Sequence, residues 1–554
     1  MPIDLTKPVP ITGGLVQGVV DPFDASITVF RAIPYAAPPL GQNRFRAPQP
    51  VVPWDGVRVC DKFSDVNIQL PPPAKYPDTL AGWPQSEDVL YLNVWVPGED
   101  TERHEPGPYP VFFWMHGGGY REGGNPDKNF DGTGLAQKGV IVVVPNFRLG
   151  LTGFLAHPDL TKEDPNGTSG NQGLLDCVQA LEWIRDNIAQ LGGDPRRVTI
   201  AGQSSGYAQS QILICSPLAK GLISGAIMQS GARTTRDPLV ISGPASYRYL
   251  KDAEQEGIDI LTELGVSSIQ ELRDYPDPLK FAQLSMKRDL KYFGPPPMFR
   301  PVMDGHLLTQ PYTTSFDQGT VPNDIPVMTG MNSHEATVYI EPRFTVEDLR
   351  ESVDQRFGGG EWSARFYNVY PPADDEIGRG PLDAWNLSAR EYARHGLALW
   401  AQQYNQQCAS PVYGYYFTHH PPQWKGHKTD WEKPKAPGFQ LNKGPLYGAF
   451  HSAELAYVFN SVITSDTRPW TDRDRQVGET VSTLWANFIK YGNPNGRKPE
   501  DRPEETREAP EWPTLKQDPG HLMEIGQKYE LVQTASEQGK TFWNEYYAAM
   551  NQAW

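Results

Sequence analysis

The sequence predicts an α/β fold, a large and mostly parallel central sheet flanked by helices. Three observations carry this. Short, almost uninterrupted apolar runs recur in the first half of the chain, as strands covered on both faces require. An amphipathic helical pattern lies among them. Strand, helix and strand then alternate, each change marked by glycine or proline.

Taken in order, the runs at 89–96, closed by Pro97, at 111–115, running into three glycines, and at 140–144, closed by Pro145, are predicted strands. Leu174, Val178, Leu181, Ile184, Ile188 and Leu191 then recur at helical spacing, and Gly192-Gly193 stops that helix. A short strand at 198–201 enters Gly202-Gln203-Ser204-Ser205-Gly206. A helix at 208–215 and a strand at 225–229 follow. Residues 235–320 and 340–440 are less regular and richer in aromatics and prolines. They read as helical insertions over the sheet's C-terminal edge, where α/β sheets carry ligands. A strand at 325–329 and helices at 472–490 and 539–554 complete the reading. The 554 residues exceed the ~150 expected of one ordinary domain; one large domain, 1–554, with those two insertions is the expected organisation.

Charge and composition narrow the function. With 50 basic and 66 acidic side chains the net charge is −16, which disfavours nucleic acid and favours solubility. No run reaches the ~18 consecutive apolar residues of a membrane span. The N-terminus lacks the basic and apolar regions of a secretory signal. The four cysteines, Cys60, Cys177, Cys215 and Cys408, match no zinc or redox spacing, and Cys177 and Cys215, in apolar helical patterns, read as buried free thiols. A cytoplasmic protein without metal or organic cofactor is expected, as monomer or homodimer.

Gly202-x-Ser204-x-Gly206 stands between a strand and a helix. A serine on so sharp a turn is lifted clear of the sheet beside a helix N-terminus, and flanking side chains would collide with backbone. Ser204 is therefore the expected nucleophile. His116-Gly117-Gly118-Gly119-Tyr120 follows directly on a strand, and its glycines bare backbone N–H groups to a ligand oxygen. It matches the glycine-type oxyanion hole of esterases, with Gly118, Gly119 and Ser205 as donors. A phosphate loop would need Gly-Lys-Ser/Thr, which is absent. The hydrolase order places acid and then histidine after the serine. His419, His420 and His427 sit in a polar stretch that looks exposed; His451, just before an apolar segment, is the expected base. Position alone leaves any carboxylate between Ser204 and His451 open as the acid; Glu335, just after a predicted strand, is taken.

At this point the chain resembles the type-B carboxylesterase/lipase family, the cholinesterase-like α/β-hydrolases, over nearly its whole length. The resemblance rests on Ile33-Pro34-Tyr35-Ala36, Arg44-Phe45, Ser86 through Val94, His116 through Gly119, Asn146 through Gly150, Gly170 through Asp176 and Gly193-Asp194-Pro195. It continues in Gln229-Ser230-Gly231, Asn332-Ser333-His334-Glu335 and His451 through Glu454. It implies an α/β-hydrolase fold and a triad of Ser204, Glu335 and His451. Several positions depart from the family pattern. Gln203 replaces a usual glutamate, which should weaken attraction for cationic alcohol groups. Ser205 replaces alanine and Tyr207 a small residue. Val89 replaces a cysteine and no cysteine pair brackets 267–272, so two disulfides of secreted members are expected to be missing.

The expected function is serine carboxylesterase action on a small ester through a Ser204 acyl-enzyme. An acyltransferase with the same triad is the alternative, and a non-catalytic adhesion or scaffold relative a lesser one. Tyr120, Gln203, Tyr292 and Phe293, with Phe299 and Trp424, are the candidate substrate-binding residues and suggest an apolar or aromatic ester.

Overall fold

In the computed structural model, which describes residues 4–71, 80–98, 107–241, 246–292, 295–335, 345–372, 380–425 and 448–550, eleven strands form one mixed sheet. In chain order they are β1 (Val19–Val20), β2 (Thr28–Pro34), β3 (Tyr91–Val96), β4 (Tyr109–Met115), β5 (Ile141–Pro145), β6 (Gly193–Gln203), β7 (Gly225–Gln229), β8 (Val327–Asn332), β9 (Val412–Phe417), β10 (His521–Ile525) and β11 (Glu530–Gln533). Across the sheet the order is β11-β10-β9-β8-β7-β6-β4-β5-β3-β2-β1. The block from β10 to β5 is parallel; both margins are antiparallel.

The apolar runs are uninterrupted because both faces of the sheet are covered. Side chains alternate between faces along β4. Val111, Phe113 and Met115 join one core with Leu174, Leu181 and Ile184 of helix α1 (Gln172–Asn187). Phe112 and Trp114 join the other with Val477, Val481 and Trp485 of a later helix, Asp472–Tyr491. That later helix begins in a Thr471/Asp474 capping box and ends at Gly492 with φ 67°.

Several boundaries differ from the sequence reading. The helix after the Ser204 turn, α2 (Ser205–Cys215), starts at Ser205 rather than 208, and β6 begins at Gly193 with a register irregularity before Val198. The range 340–440 does contain the expected helices, Val346–Phe357, Gly360–Val369 and Gly380–Gln407, but it also contributes β9 to the central sheet. Tyrosines interrupt that strand's aliphatic pattern, yet all six of its residues are buried. The terminal helix runs Glu537–Ala549 and packs Phe542, Trp543 and Tyr546 against Phe357 and Phe366 of the second insertion. No described helix is long and apolar enough to cross a membrane.

Candidate active site

The parallel strands β4, β6, β7 and β8 deliver their C-terminal ends to one place, where an open sheet collects ligand-binding loops. Ser204 stands between β6 and α2 with φ 58° and ψ −121°. This is backbone that a side chain tolerates only under constraint, at a cost of about 1–3 kcal/mol. The constraint is visible. A Cβ on Gly206 would lie 2.0 Å from the Met115 carbonyl oxygen, and one on Gly202 would lie 2.3 Å from Gly206. The turn is therefore pressed against the end of β4. The glycine loop presses back: a Cβ on Gly117 would lie 2.8 Å from the Gln203 carbonyl oxygen and 3.1 Å from Ser204 Cβ. The two glycine motifs are thus neighbours in space.

Among the described residues no backbone acceptor takes the N–H groups of Gly118, Gly119 or Ser205. Ser205 has a further contact that its backbone alone would not supply: its hydroxyl accepts the Tyr120 N–H at 3.3 Å, tying the start of α2 to the end of the glycine loop. Tyr207, the other unusual residue here, lays its ring over Gly231, where a Cβ would meet it at 1.9 Å. His116 stacks on Phe147 at 4.4 Å and its Nδ1 lies 2.8 Å from the Gly117 carbonyl. Burial pushes it down to about 4, so it stays neutral and structural.

His451 and Glu335 come together. Nδ1 of His451 lies 2.5 Å from one Glu335 carboxylate oxygen, Oε2. The other oxygen, Oε1, accepts the Ser230 hydroxyl at 2.6 Å and the Asn332 N–H at 2.8 Å. The two loops are bound to each other by the Asn332 amide on the Phe450 carbonyl, 2.7 Å, and the His334 N–H on the Ala449 carbonyl, 3.0 Å. Burial opposes ionisation of Glu335. The charge and hydrogen bond of His451, with the Asn332 and Ser230 donors, outweigh it and hold the carboxyl below its ordinary range. Burial likewise disfavours the imidazolium of His451, but Glu335, by charge and by hydrogen bond, and then Glu454 raise it above 6.5.

Three residues given no role from sequence complete this network. Ser230, with φ 65°, donates its hydroxyl to Glu335. Asn332 serves Glu335 with its backbone and the fully buried Glu454 with its side chain, at 2.5 Å. Glu454 also accepts Gln229 Nε2 at 3.0 Å; burial and the nearby Glu335 raise its carboxyl. Strain marks the site in the structure, though not in the sequence: of the seven described non-glycine residues with positive φ, Tyr120, Ser204, Ser230 and Ser452 are at or beside it.

Ser204, His451, Gly117, Gly118, Gly119 and Gln203 line one cavity of about 420 Å³. The Gln203 amide nitrogen is 3.1 Å from His451 Nε2 and 3.3 Å from Nδ1. A group equidistant from both nitrogens in the ring plane would collide with Cε1, so the amide lies over the ring face. Trp424 also lines the cavity. Tyr120 is a correction: its positive φ turns the ring inward against Phe154, leaving it fully buried. Phe299 is likewise core, and Tyr292 packs on Arg300 instead of lining the cavity. Phe293 and His427 lie outside the described residues. His419, expected to be exposed, is largely buried and bonded to Asp474 at 2.8 Å. Among the described residues no cluster of side chains could hold a metal ion.

A strained serine at a strand–helix turn, over a parallel sheet and beside a glycine loop and a carboxylate–histidine pair, defines an α/β-hydrolase. The chain belongs to the carboxylesterase family, which matches residues 6–543, and is a carboxylic ester hydrolase. It is 31% identical over 494 residues to the fumonisin B1 esterase of Sphingopyxis macrogoltabida, covering 86% of this chain and 82% of that one. It is 30% identical to the para-nitrobenzyl esterase of Bacillus subtilis, covering 84% and 86%. A solved PNB esterase structure superposes with a TM-score of 0.72 at 26% identity, over 97% of this chain and all of the other.

Proposed function

We propose that the chain cleaves a carboxylic ester through an acyl-enzyme on Ser204. His451 takes the Ser204 proton as the hydroxyl attacks the ester carbonyl, then returns it to the leaving alcohol. Glu335 fixes the imidazole with its proton on Nδ1 and stabilises the imidazolium. The N–H groups of Gly118, Gly119 and Ser205 receive the oxyanion, each worth on the order of 3 kcal/mol. Water then repeats the attack on the acyl group. The observation that carries this reading is the 2.5 Å His451–Glu335 contact at a cavity shared with a strained Ser204. Trp424, Phe450 and Trp470 on the cavity wall support an apolar or aromatic portion in the substrate. All four thiols are free and buried, which supports a reducing compartment. The test is covalent labelling by an organophosphate: one adduct on a peptide containing Ser204 is expected, and an unlabelled native protein sinks the reading.

The acid limb of kcat/KM follows from the same pair. The free enzyme needs neutral His451, and its raised pKa places the loss of activity on acidification above pH 6.5. Gln203→Glu sets a carboxylate over the imidazole face, favours the imidazolium and moves that limb higher still, by about one pH unit. A pH–rate profile of both proteins checks the sign; a limb that moves to lower pH contradicts it.

A further inference from the structure

The cavity that holds Ser204 is lined by three arginines, Arg121, Arg288 and Arg468, against two carboxylates, Glu122 and Asp127. This polarity opposes that of a chain whose net charge is −16. Of these, Arg468 stands among three aromatic rings. Its guanidinium carbon is 5.0 Å from the ring centre of Trp424, 5.3 Å from Phe450, next to His451, and 5.9 Å from Trp470. One N–H group donates to the Pro422 carbonyl. Among the described residues no carboxylate pairs with it, and the rest of its donor fork has no protein acceptor.

Asp474 helps hold the charge from a distance, but its oxygens are committed to His419, Tyr457 and Thr471. Burial among the rings lowers Arg468 to about 10, the mark of a cation short of a partner. Aromatic rings cover guanidinium faces and leave the N–H edges for planar, two-point recognition of a carboxylate. Beside the nucleophile, position 203 contributes a neutral amide, so no charge there repels an anion.

We propose that the cavity selects esters that carry a second, ionised carboxylate, held by the N–H edge of Arg468 while the ester carbonyl lies at Ser204. This rests on the esterase reading above. The carboxylate could sit on either side of the ester bond, and two substrate pairs separate the cases. For the acyl side, 4-nitrophenyl hydrogen adipate is compared with 4-nitrophenyl hexanoate; for the alcohol side, 4-acetoxybenzoate with 4-acetoxybenzamide. The readout is the ratio of kcat/KM, charged over neutral, corrected for spontaneous hydrolysis. In the native protein one pair is expected to favour the charged ester. Arg468→Gln is expected to lower that ratio by about 10- to 100-fold, as loss of a charged hydrogen bond does, with Arg468→Lys between. A ratio that the Gln variant leaves unchanged, or preference for the neutral ester in both pairs, overturns the proposal; turnover of the neutral esters then leaves the esterase reading standing. Absence of turnover on all four esters, with no Ser204 labelling, removes both.

Discussion

Ser204→Ala is expected to lower kcat by about 10⁴- to 10⁶-fold, because removal of a nucleophile abolishes the covalent route and leaves only binding and oxyanion stabilisation. The protein should remain folded, since among the described residues the Ser204 hydroxyl makes no hydrogen bond on which the fold depends and its backbone N–H, donated to the Gln229 carbonyl at 3.1 Å, is retained. A companion substitution separates chemistry from strain. At φ 58° and ψ −121° alanine is as constrained as serine, whereas glycine is at ease. Ser204→Gly should therefore be equally inactive yet more stable than Ser204→Ala, by up to about 1–3 kcal/mol less the entropy glycine loses on folding. Thermal melting of the two variants with an esterase assay checks both halves. A Ser204→Ala protein that keeps even a tenth of its activity would place the nucleophile elsewhere. Equal melting temperatures would show that the turn stores no strain.

The features legible in the sequence were those written locally. A buried parallel strand needs an unbroken apolar run, so β4, β5 and β7 were found within two residues of their ends. A turn that cannot hold side chains announces itself with glycines, so both glycine motifs were found. The strand β9 was missed because Tyr413, Tyr415 and Tyr416 carry hydroxyls that score as polar although their rings are buried. Glu335 could not be singled out by its own neighbourhood. What distinguishes it is that β7 brings Ser230, β8 brings Asn332 and a distant loop brings His451 to the same carboxylate, and such convergence is set by strand order. Tyr120 was misread for the same kind of reason. A residue after a glycine loop can face either way, and the φ of 63° that sends its ring into the core leaves no trace in residue type.

Glu335→Gln should lower kcat by about 10³- to 10⁴-fold, although the side chain keeps its shape. The loss follows from who donates to whom. Oε1 accepts from both the Asn332 N–H and the Ser230 hydroxyl, so in the variant the amide oxygen must take that position. The NH₂ group is then forced toward His451 Nδ1. Two donors cannot face each other, so Nδ1 becomes the acceptor and the imidazole proton moves to Nε2. The nitrogen that should receive the Ser204 proton then has no free lone pair, and the imidazolium has lost its adjacent anion. Two further readouts distinguish this from general damage. The acid limb of kcat/KM should move to lower pH, because the charge that raises His451 is gone. Glu335→Asp, which keeps the charge on a shorter arm, should recover part of the rate. If Glu335→Gln retained native activity, attention would turn to Glu454. Yet Glu454 is a poor substitute: its two oxygens already accept amides from Asn332 and Gln229, and burial raises its carboxyl, so it has neither a free oxygen nor a secure charge to offer the imidazole.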